Sequence, residues 1–406
     1  MDIHNYDRSY QTALAGLGKS EISTENKQLI RKFLTELELE GISKPRIIKY
    51  VYCLMVVARK LKKNFDTASV EDLKIFIGGI QQKTDYSYWT KIAYKTIVKR
   101  FYKWMSEASG YPDVVSWILV KRRRADKKLP SDGDLLTEDD IQKLLSVAEN
   151  LRDKAFVAAL WESGCRIGEI GNLCLKDVVF DKHGVVICVK GKTGARKIRL
   201  IFSTSYLSTW INSHSRKGDN TAPLWINIGH PNKNKAMRYN NLVRLLKVLF
   251  EKTDITKGFN PHLFRHSRAT FLASHLTEFQ MNQYFGWIQG SEMPSTYVHM
   301  SGKEVDSAIL KLNGIQTVEN KQKTKLKPIV CPRCDTINAP DSKHCNKCGG
   351  VTDLKHAMEL EEKREEESKM RNDSDKMMTL LLKDKEVQAL LREKLRRLSG
   401  SLSSVS

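Results

Sequence analysis

Asn260-Pro261-His262-Leu263-Phe264-Arg265-His266-Ser267 is the stretch on which the reading of this chain turns. Asn before Pro opens a helix well: Asn caps the first turn, and Pro, which lacks an N–H, suits the first helical position. A helix starting there puts His262 and Arg265 on one face, three residues apart. A guanidinium beside an imidazole can bind a phosphate oxygen while the imidazole handles a proton. An ordinary charged helix end would look the same, so the stretch gains its weight from what surrounds it.

Three other segments matter. Upstream, Gly164-Cys165-Arg166-Ile167-Gly168-Glu169-Ile170 follows a helix that ends at Gly164. Its apolar setting makes a half-buried Arg166 plausible, with Glu169 one turn on to hold it; alone, it also reads as a structural Arg–Glu pair. Between the two lies Val189-Lys190-Gly191-Lys192-Thr193-Gly194-Ala195-Arg196, a hairpin whose tip would carry Lys192 either into a DNA groove or simply into water. Downstream, the glycines and proline from Gly286-Trp287 to Met293-Pro294 predict a loop re-entering a short helix with Tyr297. A lone Tyr is ordinarily a packing residue.

Together and in this order, the four segments resemble the tyrosine recombinases, the family of phage integrases and Xer-type resolvases. The likeness covers roughly residues 135–312, and the helical region before it resembles that family's core-binding domain. By position it implies that Arg166 is the first arginine, supported by Glu169. Lys192 would be the mobile hairpin lysine, His262 and Arg265 the H-x-x-R pair, and Tyr297 the nucleophile. Trp287 falls where most members have His and some Trp, which implies an indole N–H donating to the phosphate without proton transfer. The chemistry agrees: two guanidiniums can neutralise a crowded, doubly charged phosphorane-like state. A phenol with a pKa of about 10 needs that field, and His262 is a candidate base. Lys192 is the candidate acid for the departing 5′ hydroxyl.

The rest of the chain is consistent with such a role. Lys and Arg number 68 against 47 Asp and Glu, a formal charge of +21, which points to a polyanionic partner. At 406 residues the chain exceeds one hydrophobic core. The expected fold is multidomain and mainly α: an N-terminal segment (1–24), a helical core-binding domain (25–120) of four or five helices, a basic linker (121–134), and an α+β catalytic domain (135–315) with a small antiparallel sheet at 178–202. A zinc ribbon (328–350), a helical tail (354–398) interrupted near Asn372-Asp373-Ser374, and a disordered Ser-rich end (399–406) follow. Gly41 should break the first helix, and Gly78-Gly79 should loosen a later one.

Cys331-Pro332-Arg333-Cys334 and Cys345-Asn346-Lys347-Cys348 are two C-x-x-C knuckles ten residues apart, the spacing of a closed four-thiolate structural Zn²⁺ site. His344 is expected to stay out of it, and no cofactor is expected for catalysis. Most familiar recombinases lack the ribbon and tail; the addition resembles that of some archaeal integrases. Scattered Cys53, Cys165, Cys174 and Cys188 read as reduced core thiols, and no apolar run approaches the roughly 20 residues that cross a bilayer. A cytoplasmic, nucleoid-associated protein is therefore expected. Its partner would be double-stranded DNA at a specific site, bound as a homo-oligomer, a tetramer on two sites, with Val305, Ile309 and Leu312 suited to the contact between subunits. Two alternatives stay open: a non-catalytic DNA-binding protein of the same fold, and a type IB topoisomerase.

Overall fold

The structure is a computed structural model that describes residues 2–107, 109–120, 131–191, 193–301, 309–310, 312–313 and 326–402. Five long helices and a short one build the first core: α1 (Tyr6–Lys19), α2 (Thr24–Leu39), α3 (Lys44–Leu61), α4 (Val70–Gln82), α5 (Tyr88–Met105) and α6 (Asp113–Ser116). In α2, Ser23 caps the first turn by accepting from the Asn26 N–H, and Ile30, Phe33, Leu34 and Leu37 form the buried stripe. The helix stops before Gly41, whose φ of 73° only glycine adopts freely. Phe33 packs edge-on against Tyr50 and Phe101 at the centre.

Residues 1–24, set apart in the sequence as an N-terminal segment, hold α1, which packs on α3 with Ala13 and Leu17 fully buried. One expectation needs correction here. Gly78-Gly79 does not interrupt α4. Each glycine costs a helix about 1 kcal/mol, but a capping box between Ser69 and Asp72 and the burial of Leu73, Phe76, Ile77 and Ile80 more than compensate.

The second core is gathered by α7 (Glu138–Val147), α8 (Leu151–Ser163), α9 (Ile167–Gly171), strands β1 (Val178–Asp181), β2 (Gly184–Gly191) and β3 (Gly194–Leu200), then α10 (Thr204–Asn212), α11 (Tyr239–Glu251), α12 (Pro261–Ala273), α13 (Glu278–Phe285) and α14 (Met293–Ser301). A capping box between Thr137 and Asp140 starts α7. β1, β2 and β3 form an antiparallel meander, with Val185 opposite Leu200 and Gly191 opposite Gly194 at the turn. Val185, Ile187 and Val189 point into the core with Ile198 and Leu200, the alternation a one-sided sheet requires. α8, at the centre, is buried almost all round. Its Glu162 accepts from the Ile201, Phe202 and Ser203 N–H groups, fixing the turn between β3 and α10.

Ile3 belongs to this second core, not the first. Its N–H donates to Asn172 Oδ1 at 2.9 Å, its carbonyl accepts from Tyr239 N at 3.1 Å, and the His4 ring lies against Tyr239. The residues just before α1 thus tie the two cores together.

Beyond them, β4 (Ile329–Val330) pairs with β5 (Ile337–Asn338) in the cysteine-rich unit, which rests on α10 through Asn346 donating to Ser205 and Tyr206 donating to Asp341. The tail forms α15 (Leu354–Lys383) and α16 (Lys385–Leu402). The expected break at Asn372-Asp373-Ser374 is absent; the helix breaks at Asp384, whose carboxylate caps α16 by accepting from Glu386 and Val387 N–H. The end expected to lack structure is helical as far as Leu402. The core of the basic linker (121–130) and Val305 lie outside the described residues. Ile309 and Leu312 are exposed. Among the described residues, no helix is long and apolar enough to cross a membrane.

Replacing Ile3 with Ala removes a fully buried side chain and leaves a cavity in the second core. The expected cost is about 2–4 kcal/mol, read by urea unfolding of the full chain; a change within experimental error would contradict the buried position.

Candidate active site

Arg265 sits at the centre. Asn260 caps α12 as the sequence predicts, accepting from the His262 N–H at 2.9 Å, with Pro261 in the first turn. One turn in, the Arg265 guanidinium is 5% exposed and donates to the Gly164 carbonyl at 3.0 Å and the Phe285 carbonyl at 2.7 Å. The rings of Phe285 and Trp287 lie 5.0 and 5.4 Å from it. Both carbonyls end helices, α8 and α13, where the partial charge is negative and favours a cation. The close approach depends on Gly164: its φ is +54°, and a Cβ there would lie 2.8 Å from Phe285 Cε1. Burial, helped by the charge of Arg166, pulls the Arg265 guanidinium down to about 10, so it stays charged at neutral pH. Its carbonyl partners carry no net charge and leave its own free for an anion.

Arg166 precedes α9, and the R-x-x-E spacing closes as expected. Glu169 accepts from the Arg166 backbone N–H and from its Nη1, each at 2.9 Å. Sequence reasoning missed the larger partner. Arg196, on β3, donates to both Glu169 oxygens at 3.1 and 2.8 Å and, through Nε, to the Tyr284 carbonyl at 2.8 Å. Burial alone would push the Glu169 carboxyl up, but the bonds from Arg196 and Arg166 outweigh it and hold the group below its ordinary value. A signal was available, since Arg196 shares its strand face with Ile198 and Leu200, which are buried. The backbone around this pair is tight: a Cβ on Gly191 would lie 2.4 Å from Glu169 Oε1, and one on Gly286 2.8 Å from Arg196 Nη1. Lys192 lies outside the described residues. Its neighbour Thr193 donates to the Gly286 carbonyl at 3.0 Å, which ties the hairpin turn to the loop before α14.

Tyr297, on α14, is 2% exposed and stacks on Trp287, ring centroids 5.5 Å apart and planes 4° from parallel. Its hydroxyl lies 2.8 Å from His266 Nδ1. His266 was quoted in the decisive stretch but given no role there. His262, one turn earlier, is exposed. Burial raises the Tyr297 phenol above its ordinary value, while Arg265 and Arg166 pull the other way. The arginines, His262, His266, Trp287 and Tyr297 thus share one region, with Arg166 and His262 as its open side.

The four cysteines of the knuckles form a second cluster. Cys331, Cys334, Cys345 and Cys348 offer sulfurs all within 4.8 Å of one another, with Cys331–Cys348 and Cys334–Cys345 each at 3.6 Å. A tetrahedral zinc with bonds of about 2.3 Å requires sulfurs roughly 3.8 Å apart, so the set fits a metal ion. The Arg333 and Lys347 N–H groups point at the first sulfur of each knuckle, both at 3.4 Å. Asp335 and Gly349, each one residue past a knuckle, both take the left-handed conformation that turns the chain away.

Because Glu169 is buried between two guanidiniums, Glu169→Ala leaves Arg196 unpaired in the interior. The expected loss is about 3–5 kcal/mol by chemical denaturation; a loss no larger than that of a surface ion pair would contradict the network.

Residues 134–304 match the phage integrase family. A tyrosine recombinase XerA of Pyrococcus horikoshii is 28% identical over 298 residues, covering 72% of this chain and 96% of that one. The XerA of Pyrococcus furiosus is 24% identical, covering 73% and 97%. Among solved structures, a lambda integrase dimer bound to a core site aligns with a TM-score of 0.53 at 14% identity over 68% of this chain and 78% of that one. The Tn1549 transposon integrase with transposon-end DNA aligns at 0.52 and 18%, covering 70% and 98%. The fold is theirs, and the match over residues 134–304 together with the XerA relatives supports the tyrosine recombinase family.

Proposed function

We propose that this protein is a site-specific DNA recombinase that cuts and rejoins duplex DNA through a covalent 3′-phosphotyrosyl bond to Tyr297. The observation that carries the reading is the gathering of Arg166, His262 and Tyr297, from three separate elements, around the buried Arg265 guanidinium, whose partners are neutral. In this reading the scissile phosphate enters on the open side, between Arg166 and His262, and its non-bridging oxygens take the charge of Arg166 and Arg265. Glu169 and Arg196 position Arg166. Trp287 packs the phenol and supplies an indole N–H.

Attack forms the Tyr297 Oη–P bond and breaks the P–O5′ bond; the departing 5′ oxygen takes a proton from Lys192. The phosphotyrosine keeps the free energy of the phosphodiester, so a 5′ hydroxyl from a second duplex can reverse the step and reseal without ATP. Exchange between partners needs more than one active site, and a tetramer on two DNA sites supplies them. Lambda integrase has been solved as a tetramer on a Holliday junction. Zinc is proposed for the four cysteines: all four positions would be thiolates, leaving none for substrate, so the ion would stiffen the unit seated on α10.

A pool of nicked duplexes of randomised sequence, incubated with the full chain, should yield a covalent protein–DNA adduct whose captured sequences define the site. Tyr297→Phe should yield none, and Arg265→Ala should slow adduct formation by about 10²–10³-fold, as loss of one preorganised charge-stabilising donor does. No adduct from the unaltered chain, or undiminished adduct from Tyr297→Phe, would overturn the reading. Elemental analysis should find one zinc per chain, lost in Cys331→Ser/Cys345→Ser; a metal-free chain with intact fold would contradict the zinc assignment.

A further inference from the structure

We propose that His266 Nδ1 accepts the phenolic proton of Tyr297 as the phosphodiester is attacked, and returns it on resealing. The inference rests on the recombinase reading and deepens it, because it names the base. The contact is direct: His266 Nδ1 and Tyr297 Oη are 2.8 Å apart, with the rings tilted 37° at 5.8 Å. Packing sets it, since α12 and α14 lie against each other and Trp287 stacks on the phenol ring. His262 and His266 are four residues apart, on one face of α12, yet they meet different surroundings. His262 is exposed at the mouth, whereas His266 lies one turn deeper, against the nucleophile.

A base must be neutral before it acts. Burial, then the neighbouring His262 and Arg265, hold the His266 imidazole below its ordinary value, so at neutral pH its Nδ1 lone pair is available once the ring hydrogen sits on Nε2. The charged and titratable groups facing it are His262 and Arg265 from α12 and Tyr297 from α14, with Arg166 reaching the phenol from the start of α9. The step balances. The Oη–H bond breaks as Oη–P forms, the proton goes to His266 Nδ1, P–O5′ breaks, and the 5′ oxygen takes its proton from Lys192. In the reverse direction the imidazolium protonates Oη as it leaves phosphorus. Arg265 and Arg166 favour the developing phenolate, and His262 is left to bind the phosphate at the open side.

The test uses single-turnover cleavage of the captured duplex by the full chain. His266→Asn keeps a polar atom near the place of Nδ1 but cannot take a proton. It should bind DNA normally and form adduct about 10²–10⁴-fold more slowly, the usual range for a general base. The unaltered chain should lose rate as pH falls through the depressed His266 value, and the variant should lack that acid limb. A duplex with a 5′-bridging sulfur, a leaving group that needs no proton, should rescue Lys192→Ala but not His266→Asn. Unchanged cleavage by His266→Asn overturns the proposal, as does rescue by the bridging sulfur, which would assign His266 to the leaving group. Should His266→Asn fail to fold, the acid limb in His262→Asn decides: its retention supports His266 and its loss overturns it. Adduct absent from the unaltered chain overturns the recombinase reading itself, a separate result from normal cleavage by His266→Asn.

Discussion

A buried cation held by uncharged partners is the constraint on which the rest of this structure depends. Arg265 donates hydrogen bonds to two helix-end carbonyls, and these bonds hold it in place without neutralising it. Burying such a charge is costly unless it is paired or hydrogen-bonded, and the fold meets the demand by bringing the ends of α8 and α13 to the same point. Gly164 follows from that requirement, since any side chain there would strike Phe285. Beside the guanidinium stand the stacked rings of Phe285 and Trp287, and Trp287 in turn is the platform for Tyr297. A site arranged in this way is unsatisfied until an anion arrives, as a phosphodiester-binding site should be.

The second buried arginine solves a different problem. Arg196 is neutralised by Glu169 and serves as a strut: it joins the hairpin that carries Lys192 to α9, behind Arg166, and to the end of α13. The hairpin strand and Arg166 thus share one carboxylate. The contrast between a compensated arginine that builds and an uncompensated one that waits follows from partner type alone, with no difference in depth needed.

What the sequence made legible was local. R-x-x-E at Arg166, the Asn260-Pro261 cap, the small antiparallel sheet and the clustering of the two cysteine knuckles are all encoded within a few residues, and each forms as read. The contacts that complete the site join residues far apart: Arg196 to Glu169 across 27 positions and His266 to Tyr297 across 31. No local spacing announces them. Ile3, in a core otherwise built from residue 135 onward, is the extreme case. The errors in the tail have a different cause. Asn372-Asp373-Ser374 are weak helix formers, but on an exposed helix their combined penalty is about 1–2 kcal/mol, spread over α15's 30 residues. Asp384 stops the helix because its carboxylate makes a better cap for the next one.

The account stands on Tyr297 being the atom that joins protein to DNA. Trimming the covalent adduct with nuclease, digesting the protein and sequencing the modified peptide by mass spectrometry tests this most directly. The expected peptide spans Tyr297 and carries a nucleotide through its 3′ phosphate; attachment at any other residue, or through a 5′ phosphate, would contradict the account.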